Sequence, residues 1–229
     1  MLGSFPSIKS INLRLFPQII KHAQLFFILQ ITSIISVQSD ALYALLFLSP
    51  SQAAELSLIA KIMILPSSLA IYISLPLWAK SASADTPEKR SYLWSELIDL
   101  FKTLSVIGAC LAILYVAFGE FLISRWTGEN VVPNFTTLFF SSLVMIILLV
   151  SQPAAMVLNG LHAKTFLVSW SLLSLLLKIT LSIVFTIEFG IIGPLVGTLV
   201  SQLICSVLPS LFYLRKNLGG SSQHKPIKF

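Results

Sequence analysis

Asp40 and Lys61 are an acid and a base set inside apolar runs, on either side of the turn Ser49-Pro50-Ser51. Each lies ten to eleven residues from the turn centre. At about 1.5 Å per helical residue, both sit roughly 15 Å from the turn, near the middle of a bilayer. A lone charge there costs on the order of 3 kcal/mol, so an ionisable residue inside a membrane marks a functional site by default. The matched depth makes the two expected partners. They either neutralise each other and hold the hairpin in register, or serve transport, or do both.

Lys178 is a second buried cation. With Ser171, Ser174 and Ser182 it falls in a narrow arc at 100° per residue, a polar stripe on an otherwise apolar helix. From that depth snorkelling is a long reach, so Lys178 must face protein, water or an anionic ligand. Gln30, Ser33, Ser36 and Asp40 form another stripe, while Gln38 points to a different side. Two such stripes facing each other would wall half of a hydrated cavity. Its chemistry would be electrostatic, with ammonium groups drawing an anion and polar side chains contacting the rest of a ligand.

The elements that must position these groups follow from composition. The 229-residue chain is 56% hydrophobic and 10% charged, with mean hydropathy +0.90. That excludes an ordinary soluble domain and predicts an all-α integral membrane protein. A net charge of +6 would suggest nucleic acid in a soluble protein. Here the placement of the charges matters more than their sum, and no nucleic-acid partner is expected. Cys110 and Cys205 lie in apolar runs and read as packing residues; His22, His162 and His224 are far apart. Neither set predicts a disulfide, a metal site or a cofactor. No enzyme is expected either, since the longest loop carries no catalytic constellation, and catalytic residues are none.

Residues 1–21 read as a basic cytoplasmic lead-in. Six apolar runs follow at about 22–48, 53–79, 98–124, 135–158, 164–188 and 190–214, each long enough to span. Residues 215–229 form a tail. Of the fifteen basic residues, only Arg125 lies in the first, third and fifth loops, Lys61 and Lys178 lie in spans, and the other twelve lie in the lead-in, residues 80–102, Lys164 and the tail. The positive-inside rule then puts both termini in the cytoplasm. Within the connection 80–97, Asp85 or Thr86 caps a helix, Pro87 opens it and Glu88 suits its first turn. Leu93, Leu97, Phe101 and Leu104 recur at helical spacing. This predicts an elbow helix lying along the cytoplasmic interface before the third span. Pro66, Pro76 and Pro153 predict kinks, and Gly193, Gly197 and Ser201 a small-residue face for close helix contact. A six-helix lobe is too small to enclose a cavity alone, so a second lobe is expected to cover the polar wall. No internal repeat of the lobe is found.

In Leu25-Phe26-Phe27-Ile28-Leu29-Gln30, Gln38-Ser39-Asp40 and Ala60-Lys61, the chain resembles the C-terminal half of a Wzx-type polysaccharide flippase of the MOP/MATE-like exporter superfamily. Leu75-Pro76-Leu77-Trp78-Ala79, Arg125-Trp126-Thr127-Gly128, Leu158-Asn159-Gly160-Leu161 and Phe189-Gly190-Ile191-Ile192-Gly193 continue the resemblance in order, over nearly all of residues 20–214. It implies one six-helix lobe of a two-lobe rocking transporter in the bacterial inner membrane. It also implies flipping of undecaprenyl-diphosphate-linked oligosaccharide, with membrane lipid, the lipid-linked sugar and a second lobe, from another chain or a second copy, as partners. Asp40 and Lys61 match polar positions of the family's seventh and eighth spans, and Lys178 stands where an uncharged polar residue such as asparagine is common. The substrate and cavity candidates are therefore Gln30, Ser33, Asp40, Lys61, Ser171, Ser174 and Lys178. The competing expectations are a drug or metabolite antiporter of the same superfamily, and a non-transporting membrane scaffold or inactive remnant.

Overall fold

A computed structural model describes residues 16–128 and 131–219. Residues 1–15 of the expected lead-in and 220–229 of the expected tail lie outside the described residues. The chain is helical, with α1 (Phe16–Phe47), α2 (Pro50–Ala82), α3 (Pro87–Thr127), α4 (Phe135–Gly160), α5 (Lys164–Phe189), α6 (Ile192–Gln202) and α7 (Leu208–Leu218). A π-helical turn, Leu203–Val207, joins the last two. Among the described residues, six helical segments are long and apolar enough to cross a membrane, α6 and α7 acting as one, Ile192–Leu218. The chain thus reads as a multi-pass membrane protein.

The boundaries follow from local chemistry. Ser49 caps α2 by accepting the Gln52 N–H at 3.3 Å, Thr86 caps α3 through Lys89 N–H at 3.4 Å, and Asn134 caps α4 through Thr137 N–H at 2.8 Å. Pro50 and Pro87 occupy the first helical turn, where the missing N–H costs nothing. Gly128 ends α3 in the left-handed conformation, with φ 61 and ψ 40. In the loop between α2 and α3, the hydrogen bond from Lys89 holds the Asp85 carboxyl below its usual range.

The expected elbow helix and third span are instead one helix. α3 runs 41 residues without a break, about 60 Å at the helical rise and longer than the roughly 40–45 Å of a bilayer with its headgroups. The capping signals at its start are those read from the sequence. What is missing is a stop near residue 97, where there is neither glycine nor proline nor a capping residue to end a helix. α2 likewise continues through Pro66 and Pro76. Ser67 Oγ donates to the Met63 carbonyl at 3.0 Å and Ser68 Oγ to that of Ile64 at 2.9 Å, which supplies bonding near the break.

α4 is the hub. It packs on α2 and α3 on one side and reaches α5, α6 and α7 on the other, and it is the most buried of the spans. One core joins Ala44, Leu56, Ile59, Ile123, Leu138 and Leu195 toward the end that holds Ser49 and Gly128. A second joins Leu77, Leu93, Leu97, Leu158 and Leu214 toward the opposite end. The basic residues Lys80, Arg90, Lys164, Arg215 and Lys216 sit at that second end, with Lys80 paired to Glu96. α5 and α6 form a tight hairpin because Gly193 and Gly197, on the small-residue face, let backbones meet. A Cβ at Gly193 would lie 2.2 Å from the Thr186 nitrogen, and one at Gly197 2.5 Å from Ser182 Oγ.

Candidate functional site

Asp40 meets Lys178, and not Lys61. Lys178 Nζ lies 3.0 Å from Asp40 Oδ2 and also donates to the Ser36 carbonyl. Thr198 Oγ1, from α6, lies 3.4 Å from the same carboxylate oxygen. The lysine is 3% exposed and the aspartate 14%, so the pair sits in a low-dielectric interior, where each charge depends on the other. Asp40 Oδ1 is buried without a hydrogen-bond partner.

The correction to the Asp40–Lys61 pairing has a geometric reason. Distance from a turn fixes depth but not direction around the helix axis. α2 buries Leu56, Ile59, Met63 and Ala70, a face that packs on α4. Lys61 falls on the far side of the helix, exposed, and makes no hydrogen bond or ion pair among the described residues. α1 meanwhile packs on α5, whose buried row is Ser174, Lys178, Ser182 and Thr186, and brings Ser36 and Asp40 of its polar stripe to Lys178.

The pair stands at the wall of a cavity of about 340 Å³ walled by α1, α2, α4, α5 and the sixth span. The cavity is partly open at the surface of the bundle, where the exposed Ser33 and Ile64 line it. Small side chains leave room beside the larger apolar lining of Leu29, Met63, Ile64 and Leu148. Ser33, Ser36, Ala60, Ser151, Ala155 and Ser174 all line it, and none fills the gap that longer apolar residues would close. A space of that size has room for on the order of ten waters at about 30 Å³ each.

Of the residues singled out from the sequence, Ser33, Asp40, Ser171, Ser174 and Lys178 line this cavity. Gln30 and Lys61 do not, and both are exposed. Ser174 Oγ further ties α5 to α6 through the Ser201 carbonyl at 3.4 Å.

Sequence reasoning did not select Thr198, Gln152, Asn159, Phe166, Trp170 or Gln202 as site residues, all of which line the cavity. Some signals were present. Gln152 adjoins Pro153, and its Nε2 donates to the Leu148 carbonyl at 3.1 Å, one residue before the Leu149 carbonyl that the proline leaves without its helical donor. Trp170 and Phe166 extend the Ser174–Lys178 row at four-residue steps. Thr198 adjoins Gly197. Nothing local to Gln202 marks it.

The π-helical turn also borders this space through Cys205, with Ser206 beside it. Its cause is Pro209, whose ring would press on the Cys205 carbonyl in a regular α-helix. Widening the turn shifts the ladder, and the Leu208 N–H reaches back five residues to Leu203. Among the described residues no cluster of His, Cys, Asp and Glu could hold a metal ion.

Comparison with protein-family models, curated proteins and solved structures found no match.

Proposed function

We propose that this chain is one lobe of a transporter that moves undecaprenyl-diphosphate-linked oligosaccharide across the bacterial inner membrane. A second lobe, from another chain or a second copy, would complete the pathway. The observation that carries this reading is the buried Asp40–Lys178 pair on the wall of a serine-lined cavity. A bundle that only had to fit in lipid gains little from holding two buried charges beside an open cavity. In this reading the diphosphate competes with Asp40 for the Lys178 ammonium. The surrounding hydroxyls and amides of Ser33, Ser171, Gln152 and Asn159 contact the sugars. The basic end of the bundle faces the cytoplasm.

One observation favours the alternative of a non-transporting scaffold: Lys178 is already satisfied, by Asp40 and by the Ser36 carbonyl. A pair so complete also serves packing. The double variant Asp40→Asn/Lys178→Met separates the two readings, because it removes both charges while keeping both volumes. It is tested in cells depleted of their own flippase and supplied with this chain. The transporter reading expects normal membrane insertion and loss of surface glycan. Normal glycan display with the double variant overturns it in favour of the scaffold.

A further inference from the structure

Phe166, Trp170, Ser174 and Lys178 stand four residues apart along α5, so they share one face of the helix. All four line the cavity. At about 6 Å per step, Trp170 lies about 12 Å and Phe166 about 18 Å from the lysine, toward the basic end of the bundle. The cavity thus has two chemically distinct ends, a charged one at Lys178 and Asp40 and an aromatic one at Phe166 and Trp170.

The two rings differ in how they are held. Phe166 is clamped, with its ring 4.5 Å from that of Tyr213 and 6.0 Å from that of Trp170. Trp170 is only partly buried, and its indole N–H makes no hydrogen bond to a described residue. Indole N–H groups in protein interiors usually find a partner. Asn159 lines the same cavity, and its Oδ1 is buried without a partner. Lys164 stands one residue-pair before Phe166 on α5, its ammonium 4.4 Å from the ring centre of Phe26 on α1.

We propose that Trp170, braced by Phe166, is a stacking platform for a sugar ring of the ligand, two helical turns along α5 from the lysine that holds the anion. The negative face of an aromatic ring attracts the positively polarised C–H face of a pyranose, and the free indole N–H donates to a sugar oxygen. Leucine at the same position would fill space but offer neither. This assignment rests on the reading of the cavity as a site for a diphosphate-linked sugar, and adds the residue that recognises the sugar.

The test uses the full chain in nanodiscs of neutral lipid, with two probes: farnesyl diphosphate, and farnesyl diphosphate carrying one N-acetylglucosamine. Equilibrium binding of each is measured for the unaltered chain, Trp170→Phe and Trp170→Leu. The platform predicts that the unaltered chain binds the glycosylated probe more tightly than the bare one by roughly 2- to 12-fold, the range of a single aromatic contact. Trp170→Phe keeps most of that preference and Trp170→Leu abolishes it. Equal affinity for the two probes in the unaltered chain overturns the platform while leaving the diphosphate site standing. So does a preference that survives Trp170→Leu, or a loss of both probes alike in that variant. Failure of the unaltered chain to bind either probe overturns the site reading and the platform together.

Discussion

Replacing Lys178 with methionine keeps nearly the volume and the flexibility of the side chain and removes its charge, together with its hydrogen bonds to Asp40 and the Ser36 carbonyl. Asp40 is then left 14% exposed, with Thr198 Oγ1 at 3.4 Å as its remaining partner and one carboxylate oxygen already unpartnered. Breaking a buried pair on one side costs about 3–5 kcal/mol. A lone charge near the middle of a bilayer costs on the order of 3 kcal/mol by a separate route, so the expected loss is about 3 kcal/mol or somewhat more. Asp40→Asn/Lys178→Met removes both charges and should return to within about 1 kcal/mol of the unaltered chain, since neutral replacements of buried pairs are often harmless. Equilibrium unfolding in mixed SDS micelles, run as a full double-mutant cycle, reads each corner and the coupling between the sites. A Lys178→Met variant as stable as the unaltered chain, or a double variant no better than the single, would refute the claim that the pair carries buried charge.

Lys61→Leu should leave stability of the bundle within about 1 kcal/mol and insert at least as well as the native chain, because Lys61 is exposed and touches neither Asp40 nor the cavity. A loss matching that of Lys178→Met in the same micelle assay would reinstate the Asp40–Lys61 pairing. Gly193→Ala puts a methyl 2.2–2.4 Å from backbone atoms of Phe185 and Thr186, so α5 and α6 must separate. The expected cost is about 1–3 kcal/mol, read in the same unfolding assay, and a variant of native stability would show that the hairpin is looser than the contact implies. By contrast, Gly108→Ala meets only ordinary contacts of 3.6–3.7 Å with Ile146 and should cost under about 1 kcal/mol.

The spans and caps were legible because hydropathy and N-cap chemistry act within a few residues along the chain. Thr86, Pro87 and Glu88 announce the start of α3 with no knowledge of its neighbours. Its continuation past residue 97 was not announced, since absence of a stop signal is easily overridden by the expectation that a helix should match the bilayer. The partner of Asp40 was misread for a different reason. Depth along a hairpin is encoded by counting residues, whereas rotation of one helix against another is set by packing between α2 and α4 and between α1 and α5. The polar arc of α5 did contain the answer, because a lysine within a stripe of serines must turn inward with it. Only the matched depth of the two charges about the turn pointed to Lys61.

The cavity, in turn, lies where the helices are least regular. Pro153 deprives the Leu149 carbonyl of its helical donor, and Ser151 and Gln152 beside it both donate to the Leu148 carbonyl on the preceding turn. Pro209 forces the π-helical turn that brings Cys205 and Ser206 to the wall. On α1, the Ser36 carbonyl accepts from Ser39 Oγ at 3.1 Å and from Lys178, so a main-chain group of one helix helps to hold the cation of another. In lipid, irregular backbone is tolerated only where protein or enclosed water meets its hydrogen-bonding needs. These departures border the partly open cavity that holds the Asp40–Lys178 pair. Pro153 and Pro209 lie behind them, each beside residues that line the cavity: Ser151 and Gln152 on α4, and Cys205, Ser206 and Ser210 on the sixth span.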